Sequence, residues 1–583
     1  MRHRPRLDTG WTRIGRLEDF AGDGPFAARA GGTDVVIVRA AGALRAFQGR
    51  CPHQGALLGE GELDGDALVC RNHGWRFALR GGQRAGGPEC LRACPVEIDD
   101  GALWIDPAPL LGDGARPAAR RRIADLPGPR RLPLLGNSLA LHRPRLHRIL
   151  EGWAARHGLV YRIGLGPRPC VVVADPALSA EVLRARPETY RRIGTVETVF
   201  REMGVEGVFS AEGEAWPPQR RLALEALSSR HLGAFYPTLR AVAERLRARW
   251  EVAAGERRAI DIADDFTRFT VDVTTNLVFG HDVRSLERDD DPLRRHLGQV
   301  FPALTRRVWA PLPYWRVLRL PADRRLDRAL AALRAWIAER AAATRRELEE
   351  RPERAGRPAH CFEAMIAARD ADGRRFPDEL VSGNAINMLV AGEDTTANTL
   401  AWAVHHLCDS PAASAALRAE ADRILGPARV PADLDTANRL VHATAVASEA
   451  MRLRPVAPVA LLECNHDAVL GDLALPRGTA LCLLSRPAGL DPQHFCAPAE
   501  FRPERWISGE ATGAHRPAAS MPFGSGPRIC PGRTLALVEC RVALATLFRS
   551  FAVERVGPAT AVEELFAFTM APKGLRVRLT ARK

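Results

Sequence analysis

The sequence predicts a multidomain protein in which a small all-β domain, an antiparallel barrel or sandwich, precedes a mainly α-helical domain with a small β part. The 583 residues exceed the usual size of a single domain. Up to about residue 106, short β-like runs alternate with glycine and aspartate turns such as Asp64-Gly65-Asp66, a spacing typical of antiparallel sheets. Beyond residue 126, long helical patterns dominate, for example 326–351 and 379–408.

The composition argues against several classes of protein. Hydrophobic residues make up 46% and charged residues 26% of the chain, which is ordinary for globular proteins. The formal charge of +14 comes almost wholly from arginine, and no basic run interleaved with aromatic residues supports nucleic-acid binding. We expect no membrane span and no secretory signal. The 12 scattered cysteines favour a reducing, cytoplasmic setting in which a few of them bind metal.

The predicted β domain, residues 1–106, contains two short loops that each carry one cysteine and one histidine. Cys51 and His53 lie in the first loop, and Cys70 and His73 lie in the second. Each loop follows a predicted strand, so four soft and borderline ligands can converge. A zinc site could use two cysteines and two histidines, but zinc folds usually pair cysteine with cysteine and histidine with histidine, whereas each loop here supplies one of each.

This arrangement resembles the Rieske iron–sulfur family, in which two cysteines bind one iron of a [2Fe–2S] cluster and two histidines bind the other. The loops read Cys51-Pro52-His53-Gln54-Gly55 and Cys70-Arg71-Asn72-His73-Gly74-Trp75-Arg76-Phe77. The resemblance implies that Cys51 and Cys70 bind one iron and that His53 and His73 bind the other.

One departure concerns the second cysteine that respiratory-type Rieske proteins carry in each ligand loop. This chain has Ala56 and Asn72 at those places. The resemblance therefore implies a domain of the soluble ferredoxin type, with a lower reduction potential.

Residues 107–125 are predicted to connect the two domains. They contain prolines, glycines and an arginine cluster at 120–122, and little that could form a core. Such a tether raises the effective concentration of one domain near the other. We interpret the arginine cluster as a solvated patch.

The predicted helical domain, residues 126–583, contains a glycine-rich loop at 522–532 that presents Cys530 just before a helical pattern. Backbone N–H groups at a helix N-terminus and the helix dipole stabilise a thiolate. Arg528 could pair with an acidic group nearby. A haem fits this loop, with Cys530 as its axial thiolate and Arg528 on a propionate. The alternative is an ordinary buried cysteine in a turn.

Three further groups of residues stand out by their spacing. Trp216 and Arg220 are four apart and therefore share a helix face. Glu449 and Arg452 are three apart on a helix, and Arg505 could join them in a buried network.

The third group is polar and lies inside an apolar helical pattern. Ala391-Gly392-Glu393-Asp394-Thr395 places poor helix formers in a helix interior, and such a local conflict often marks a functional site. Gly392 would let a planar cofactor come close. Asp394 and Thr395 could relay protons through a locally opened helix. A simple polar kink is the alternative.

Together these residues resemble the cytochrome P-450 family of haem-thiolate monooxygenases, over essentially all of residues 126–583. The motifs occur in the family's order, at Trp216 and Arg220, at Ala391, Gly392, Asp394 and Thr395, at Glu449 and Arg452 with Arg505, and at Phe523, Gly526, Arg528, Cys530 and Gly532. The resemblance implies a haem b bound through Cys530, with Trp216, Arg220 and Arg528 near its propionates, and proton delivery by Asp394 and Thr395.

The two resemblances together imply a monooxygenase that activates O2 and hydroxylates a hydrophobic organic substrate. The cluster would pass single electrons to the haem, with His53 and His73 as the exit. No glycine-rich dinucleotide motif lies between a strand and a helix, so we predict a separate flavoprotein reductase that uses NADH or NADPH. The expected distal-pocket segments are mostly apolar or aromatic and lie at 196–208, 301–315, 390–391, 456–461 and 566–570.

Three alternatives are compatible with parts of this sequence pattern. A peroxide-driven haem-thiolate hydroxylase would not need the cluster, but it would not need the Asp394–Thr395 pair either. A Rieske non-haem oxygenase would need two histidines and a carboxylate around one iron, and no clear triad is present. A sensor using cluster and haem would need an output domain, and none is recognisable.

Overall fold

The protein is described by a computed structural model. It covers residues 10–22, 24–40, 42–72, 74–110, 120–141, 143–288, 292–308, 310, 312–356, 358–370, 373–507 and 515–582. The candidate ligand His73 and residues 111–119 of the predicted linker lie outside the described residues.

The N-terminal region is all-β and forms three antiparallel sheets with the strand orders β2-β3-β4-β8, β1-β10-β9 and β5-β6-β7. The strands are β1 Thr12–Arg16, β2 Phe26–Ala30, β3 Thr33–Ala40, β4 Ala43–Gln48, β5 Glu62–Asp64, β6 Ala67–Val69, β7 Arg76–Ala78, β8 Ala93–Cys94, β9 Val96–Asp99 and β10 Ala102–Ile105. Residues of β3 alternate between two small cores: Val36 and Val38 pack with the two candidate ligand cysteines, and Val35 and Ile37 pack with Leu103. This alternation follows from the two-residue period of a strand.

The end of the predicted linker is part of the helical domain. Strand β11, Arg121–Arg122, pairs in parallel with β18, Leu473–Leu475. The Arg121 guanidinium also donates to Asp472, with an Nη2–Oδ1 distance of 2.6 Å. Arg120, Arg121 and Arg122 are all exposed, as a solvated patch requires, although a short strand and a surface ion pair also hold Arg121 in place.

The remaining chain is mainly helical. Its helices are α1 Leu146–His157, α2 Pro176–Arg184, α3 Gly194–Met203, α4 Trp216–Ala226, α5 Ser229–Gly255, α6 Ile262–Phe279, α7 Pro292–Leu297, α8 Val300–Val308, α9 Pro321–Glu350, α10 Cys361–Ala367, α11 Asp378–Cys408, α12 Pro411–Leu425, α13 Leu434–Asn438, α14 Val441–Leu453, α15 Arg486–Gly489 and α16 Arg533–Ser550. A single hydrophobic core joins α5, α6, α11, α14 and α16.

The small β part of this domain is built around a five-stranded sheet of order β12-β13-β19-β16-β14. The strands after β11 are β12 Val160–Leu165, β13 Arg168–Val173, β14 Tyr190–Arg192, β15 Ile260–Asp261, β16 Val459–Cys464, β17 Ala468–Leu470, β18 Leu473–Leu475, β19 Ala480–Leu484, β20 Phe551–Arg555, β21 Glu563–Phe566, β22 Met570–Lys573 and β23 Arg576–Ala581. An all-β region followed by a mainly helical domain is the fold class that the sequence predicts.

Helix α11 crosses the centre of the domain and runs without a break through residues 391–396. The local opening that we expected there is absent. The hydroxyl of Thr395 donates to Ala391 O at 2.8 Å, and that of Thr399 donates to Thr395 O at 2.8 Å. Threonine hydroxyls that bond to carbonyls one turn back can remain inside a regular helix.

The described helices offer no candidate for a membrane span, since none combines sufficient length with sufficient hydropathy.

Candidate metal centres and the contact between the domains

The two candidate cluster loops are geometrically alike. In the first loop, Cys51 N–H donates to Ala56 O and Gly55 N–H donates to Cys51 O; in the second, Cys70 N–H donates to Trp75 O and Gly74 N–H donates to Cys70 O, all at 2.8–2.9 Å. Gly55 and Gly74 have φ values of +70° and +68°, a conformation that favours glycine. The two loops are therefore twin turns that end at matching glycines.

The side chains of the two loops suit metal binding. Cys51 and Cys70 are buried and their thiols interact, and this contact, together with burial, raises the pKa of Cys51 far above its usual range. Two buried sulfurs in contact need a cation to become thiolates. His53 stacks on Trp75 with ring centroids 4.3 Å apart, and burial lowers its pKa, so the imidazole is neutral as a metal ligand must be.

The donors are divided as a two-iron cluster requires. No three acidic, cysteine or histidine side chains form a compact metal site within the described ranges, which do not include His73. Ligands shared between two irons need not converge on one point. The residues present therefore fit a [2Fe–2S] cluster.

The Cys530 loop is closed by backbone hydrogen bonds just before α16. Cys530 N–H donates to Phe523 O at 3.0 Å, and Ile529 N–H donates to Gly526 O at 3.1 Å. The N–H groups of Gly532 and Arg533 bond to the Cys530 sulfur and lower its pKa, but burial outweighs them and raises it. The Cys530 side chain is nevertheless exposed. A side chain can be surrounded by protein and still be exposed when it faces an internal space, and we infer this for Cys530.

A second exposed residue supports this internal space. Ala391 lies in the middle of the otherwise buried helix α11, yet its side chain is exposed. Ala391 and Cys530 are thus exposed among buried neighbours, as residues beside a flat cofactor would be. Gly392 has another neighbour: a Cβ atom there would lie 2.8 Å from Thr274 Oγ1 of α6. The glycine permits close packing of the two helices, a role that no pattern in the sequence predicted.

Arg528 lies in a buried group of arginines with too few carboxylates. It donates to Glu212 Oε2 at 2.5 Å, and its guanidinium lies 4.5 Å from the ring centroid of Trp216. Arg186 also pairs with Glu212, and Arg192 donates its backbone N–H to it. Burial lowers the pKa of Arg528 to about 9.

Two nitrogen atoms of Arg528 can donate to a further acceptor. Among the described residues, the Nε and Nη1 atoms of Arg528 are buried without a hydrogen-bond partner. An anionic group such as a haem propionate would satisfy them and balance the excess positive charge. The residues therefore fit a haem. Glu212, Arg186 and Arg192 were not singled out from the sequence, because no motif marks them.

Arg220 makes a contact that the sequence did not predict. Its Nε and Nη2 atoms donate to the carboxylate of Glu60 in the β domain at 3.1 and 2.9 Å, and Nη1 donates to Ile529 O at 2.7 Å. Trp216, on the same helix face, is buried under Arg528 instead. Arg220 thus joins the β domain to the Cys530 loop.

Further contacts dock the cluster loops on the helical domain. Gln54 O accepts the N–H of Gly526 at 2.9 Å and the hydroxyl of Ser525 at 2.6 Å. From the second loop, Arg71 Nη2 donates to Leu224 O at 3.2 Å and to Leu227 O at 2.7 Å, at the end of α4. Both candidate cluster loops therefore lie against the helical domain, and the first touches the Cys530 loop directly.

The candidate proton-handling residues lie on α11. Burial raises the pKa of Asp394 to about 6, which brings it near neutral pH. Thr396, two residues after Asp394, contacts a carboxyl that was not predicted: it bonds to Glu539 of α16, and burial raises the pKa of Glu539 to about 8.

Glu449, Arg452 and Arg505 come together in one buried network. Arg452 donates to both oxygens of Glu449, at 2.6 and 2.9 Å, and Arg505 Nε donates to Glu449 Oε1 at 3.1 Å. Trp506 Nε1 adds a donor to Glu449 at 2.8 Å. The buried carboxylate is fully paired, as a buried charge requires.

These features define a haem-thiolate protein that carries an iron–sulfur domain on the side of its cysteine loop. The chain belongs to the cytochrome P-450 family, whose model matches residues 126–579, and a Rieske [2Fe-2S] domain model matches residues 10–95. The haem, the [2Fe–2S] cluster and the class of haem-thiolate monooxygenase that the sequence predicts are confirmed.

Curated relatives cover most of the chain. It is 31% identical to "25-hydroxyvitamin D-1 alpha hydroxylase, mitochondrial" from Homo sapiens, over 75% of this chain and 88% of the relative. It is 29% identical to "Cyclooctat-9-en-7-ol 5-monooxygenase" from Streptomyces melanosporofaciens, over 72% and 87%. It is 26% identical to "Protein LUTEIN DEFICIENT 5, chloroplastic" from Arabidopsis thaliana, over 73% and 72%.

Proposed function

We propose that the iron–sulfur domain is a built-in electron donor, which passes single electrons to the haem held by Cys530, and that the enzyme hydroxylates a hydrophobic organic molecule. The observation that carries this proposal is the docking of the cluster loop on the cysteine loop through Gln54, Ser525 and Gly526. A haem with a thiolate ligand supplies the oxygen activation.

The protein side chains hold the cofactors and manage protons. Cys51, His53, Cys70 and His73 are the proposed cluster ligands, and Cys530 is the proposed haem ligand. Arg528 and its neighbours around Glu212 provide the positive charge for a propionate. Asp394, with a pKa raised to about 6, can take up and release protons close to neutral pH.

The electron source and the substrate class belong to the same proposal. A separate flavoprotein reductase using NADH or NADPH is the expected donor, because the sequence contains no recognisable dinucleotide motif. The names of two relatives mention carbon-rich molecules, namely 25-hydroxyvitamin D and cyclooctat-9-en-7-ol. We propose a substrate of comparable hydrophobicity. The cytoplasmic setting stays a prediction.

A variant that lacks the cluster tests whether electrons must pass through the cluster to reach the haem. In His53→Ala, we expect the ferric haem spectrum and the dithionite-reduced ferrous–CO band to be retained, because His53 lies outside the helical domain. Turnover with NAD(P)H and an added flavoprotein reductase should be lost. His466→Ala, at an exposed histidine, is the control and should behave as wild type.

Two outcomes would overturn the proposal. Reductase-driven turnover by His53→Ala would show that the cluster is dispensable, as in the peroxide-driven alternative. Turnover of the purified chain with NAD(P)H and no added reductase would contradict the separate reductase. The reduced wild type should also show the electron paramagnetic resonance signal of a histidine-ligated cluster.

A further inference from the structure

We propose that the backbone carbonyl of Gln54 is the bridge across which electrons leave the iron–sulfur domain, and that Ser525 and Gly526 receive them. This bridge rests on the proposed function, in which electrons run from the cluster to the haem. Among the several contacts between the domains, the Gln54 carbonyl is the one that the electrons cross.

The bridge starts directly beside a candidate cluster ligand. Gln54 follows His53 in the chain, and its carbonyl accepts the N–H of Gly526 at 2.9 Å and the O–H of Ser525 at 2.6 Å. Gln54 and Ser525 are both buried, with 9% and 1% exposure, so water does not compete for these hydrogen bonds.

The Gln54 side chain is tied to the second cluster loop. Asn72 Nδ2 donates to Gln54 Oε1 at 3.0 Å, and both residues are buried. Asn72 occupies a place where respiratory-type Rieske proteins carry a cysteine. This hydrogen bond therefore joins the two ligand loops and holds the Gln54 carbonyl in position against Gly526.

On the haem side, the route continues through a second hydrogen bond. Gly526 O accepts the N–H of Ile529 at 3.1 Å, and Ile529 is bonded to Cys530. His53 and Cys530 are thus connected by two hydrogen bonds and short backbone segments. Electrons tunnel more readily through covalent and hydrogen bonds than across van der Waals gaps. One electron crosses at a time: the cluster is oxidised by one electron, the haem iron is reduced by one, and no proton or bond changes.

Two glycines allow the loops to approach this closely. A Cβ on Gly55 would lie 2.8 Å from the Arg184 side chain, and a Cβ on Gly526 would lie 2.5 Å from Leu183 O. Both have positive φ, +70° and +73°. A methyl group at Gly55 would overlap the Arg184 side chain at 2.8 Å and would also touch Gly526 Cα at 3.5 Å, so we expect the contact between the two loops to loosen while the domains still fold.

Other contacts also hold the domains together. Arg220 joins Glu60 to Ile529 O, but Glu60 is not a chain neighbour of a candidate ligand, and Arg71, which follows Cys70, binds carbonyls at the end of α4 and not the Cys530 loop. Neither contact therefore joins a residue next to a candidate cluster ligand to the Cys530 loop, as the Gln54 carbonyl does. These contacts serve as clamps. They allow the bridge to be changed while docking is retained.

The test compares Gly55→Ala with Gly65→Ala in the holoenzyme. Gly65 also has a positive φ, +57°, but nothing lies within 4 Å of its missing Cβ, so it matches the backbone strain without the steric effect. After one-electron photoreduction of the ferric protein under CO, reoxidation of the cluster and formation of the ferrous–CO haem are followed on one trace. We expect wild type and Gly65→Ala to transfer at equal rates. Gly55→Ala should slow the transfer by about tenfold or more, because a misplacement of about 1 Å can cost a position-dependent reaction up to about 100-fold.

Ser525→Ala is the second variant, in case Gly55→Ala alters the cluster. It removes one of the two hydrogen bonds to Gln54 O and should slow the transfer by a smaller factor. Hydrogen exchange at the Gly526 N–H supplies a readout that does not depend on electron flow. This amide should be protected in wild type and in Ser525→Ala, and should exchange faster in Gly55→Ala.

The outcomes separate the bridge from the proposed function. Absence of any cluster-to-haem transfer in wild type contradicts the proposed function. Transfer in wild type that neither Gly55→Ala nor Ser525→Ala slows overturns the Gln54 bridge alone. A Gly526 amide that exchanges freely in wild type also overturns it, because the hydrogen bond is then not formed in solution.

Discussion

At the scale of single residues, Arg533 is the charge that both candidate centres share. It begins α16, and its guanidinium interacts electrostatically with Cys70 of the iron–sulfur domain and with Cys530. Burial lowers its pKa to about 10, so it stays positively charged at neutral pH. A positive charge favours the more negative, reduced state of a nearby redox centre.

The first prediction concerns the reduction potentials. Arg533→Gln should shift the midpoint potentials of both the cluster and the haem to more negative values, because it removes the shared positive charge. Redox titrations followed by electron paramagnetic resonance and by the haem absorbance measure the two shifts. Arg533→Lys keeps the charge and should stay close to wild type. Unchanged potentials in Arg533→Gln would refute the shared electrostatic role.

The second prediction concerns stability and pH. Burial raises the pKa of Glu539 from 4.5 to about 8, so the folded protein binds a proton that the unfolded chain releases at neutral pH. The stability that the neutral Glu539 side chain contributes is therefore fully present below about pH 4.5 and is lost as the pH rises through about 8. Each pKa unit corresponds to about 1.4 kcal/mol.

Glu539→Gln removes this titration. Its free energy of unfolding in urea should match wild type near pH 4.5 and exceed it increasingly up to pH 8. Glu554→Gln, at an exposed position, is the control and should follow wild type. If the difference between Glu539→Gln and wild type did not grow with pH, the carboxyl would not be protonated in the fold.

At the scale of elements, the packing of α11 on α6 depends on a glycine. A Cβ on Gly392 would lie 2.8 Å from Thr274 Oγ1 and 2.9 Å from Thr274 Cγ2. Gly392→Ala should destabilise the protein by about 1–3 kcal/mol through overpacking, although alanine is the better helix former. Adding Thr274→Ala should restore most of the loss. Additive effects in this double-mutant cycle would show that the two positions do not contact each other.

Local patterns predicted the elements well and their surroundings less well. The three- and four-residue spacings put Glu449 with Arg452, and Trp216 with Arg220, on shared helix faces, because the helical period alone decides this. The prediction that α11 opens locally was wrong, because the hydroxyls of Thr395 and Thr399 donate to backbone carbonyls within the regular helix. Polar residues in this helix therefore do not mark a distortion, and their role as a functional site stays a prediction.

At the scale of the whole molecule, the sequence predicted two domains but not their contact. The Glu60–Arg220 pair joins residues 160 positions apart, and no periodicity reports on such a pair. The same holds for Arg121 and Asp472, which are 351 positions apart. Contacts of this kind depend on how complete domains dock, so only the structure supplies them.

The last prediction concerns whether the two domains unfold together. Arg71 reaches from the iron–sulfur domain to the carbonyls of Leu224 and Leu227, which α4 leaves unpaired at its end. Arg71→Ala removes this cap and leaves partly buried carbonyl groups without this donor, at a cost of about 1 kcal/mol. We expect thermal unfolding to lose cooperativity, with the cluster absorbance disappearing at a lower temperature than the haem absorbance. Arg76→Ala removes an exposed arginine that pairs with Asp64 within the same domain, and it should leave the two transitions as in wild type. If the two absorbances of Arg71→Ala disappeared together at the wild-type temperature, Arg71 would not couple the domains.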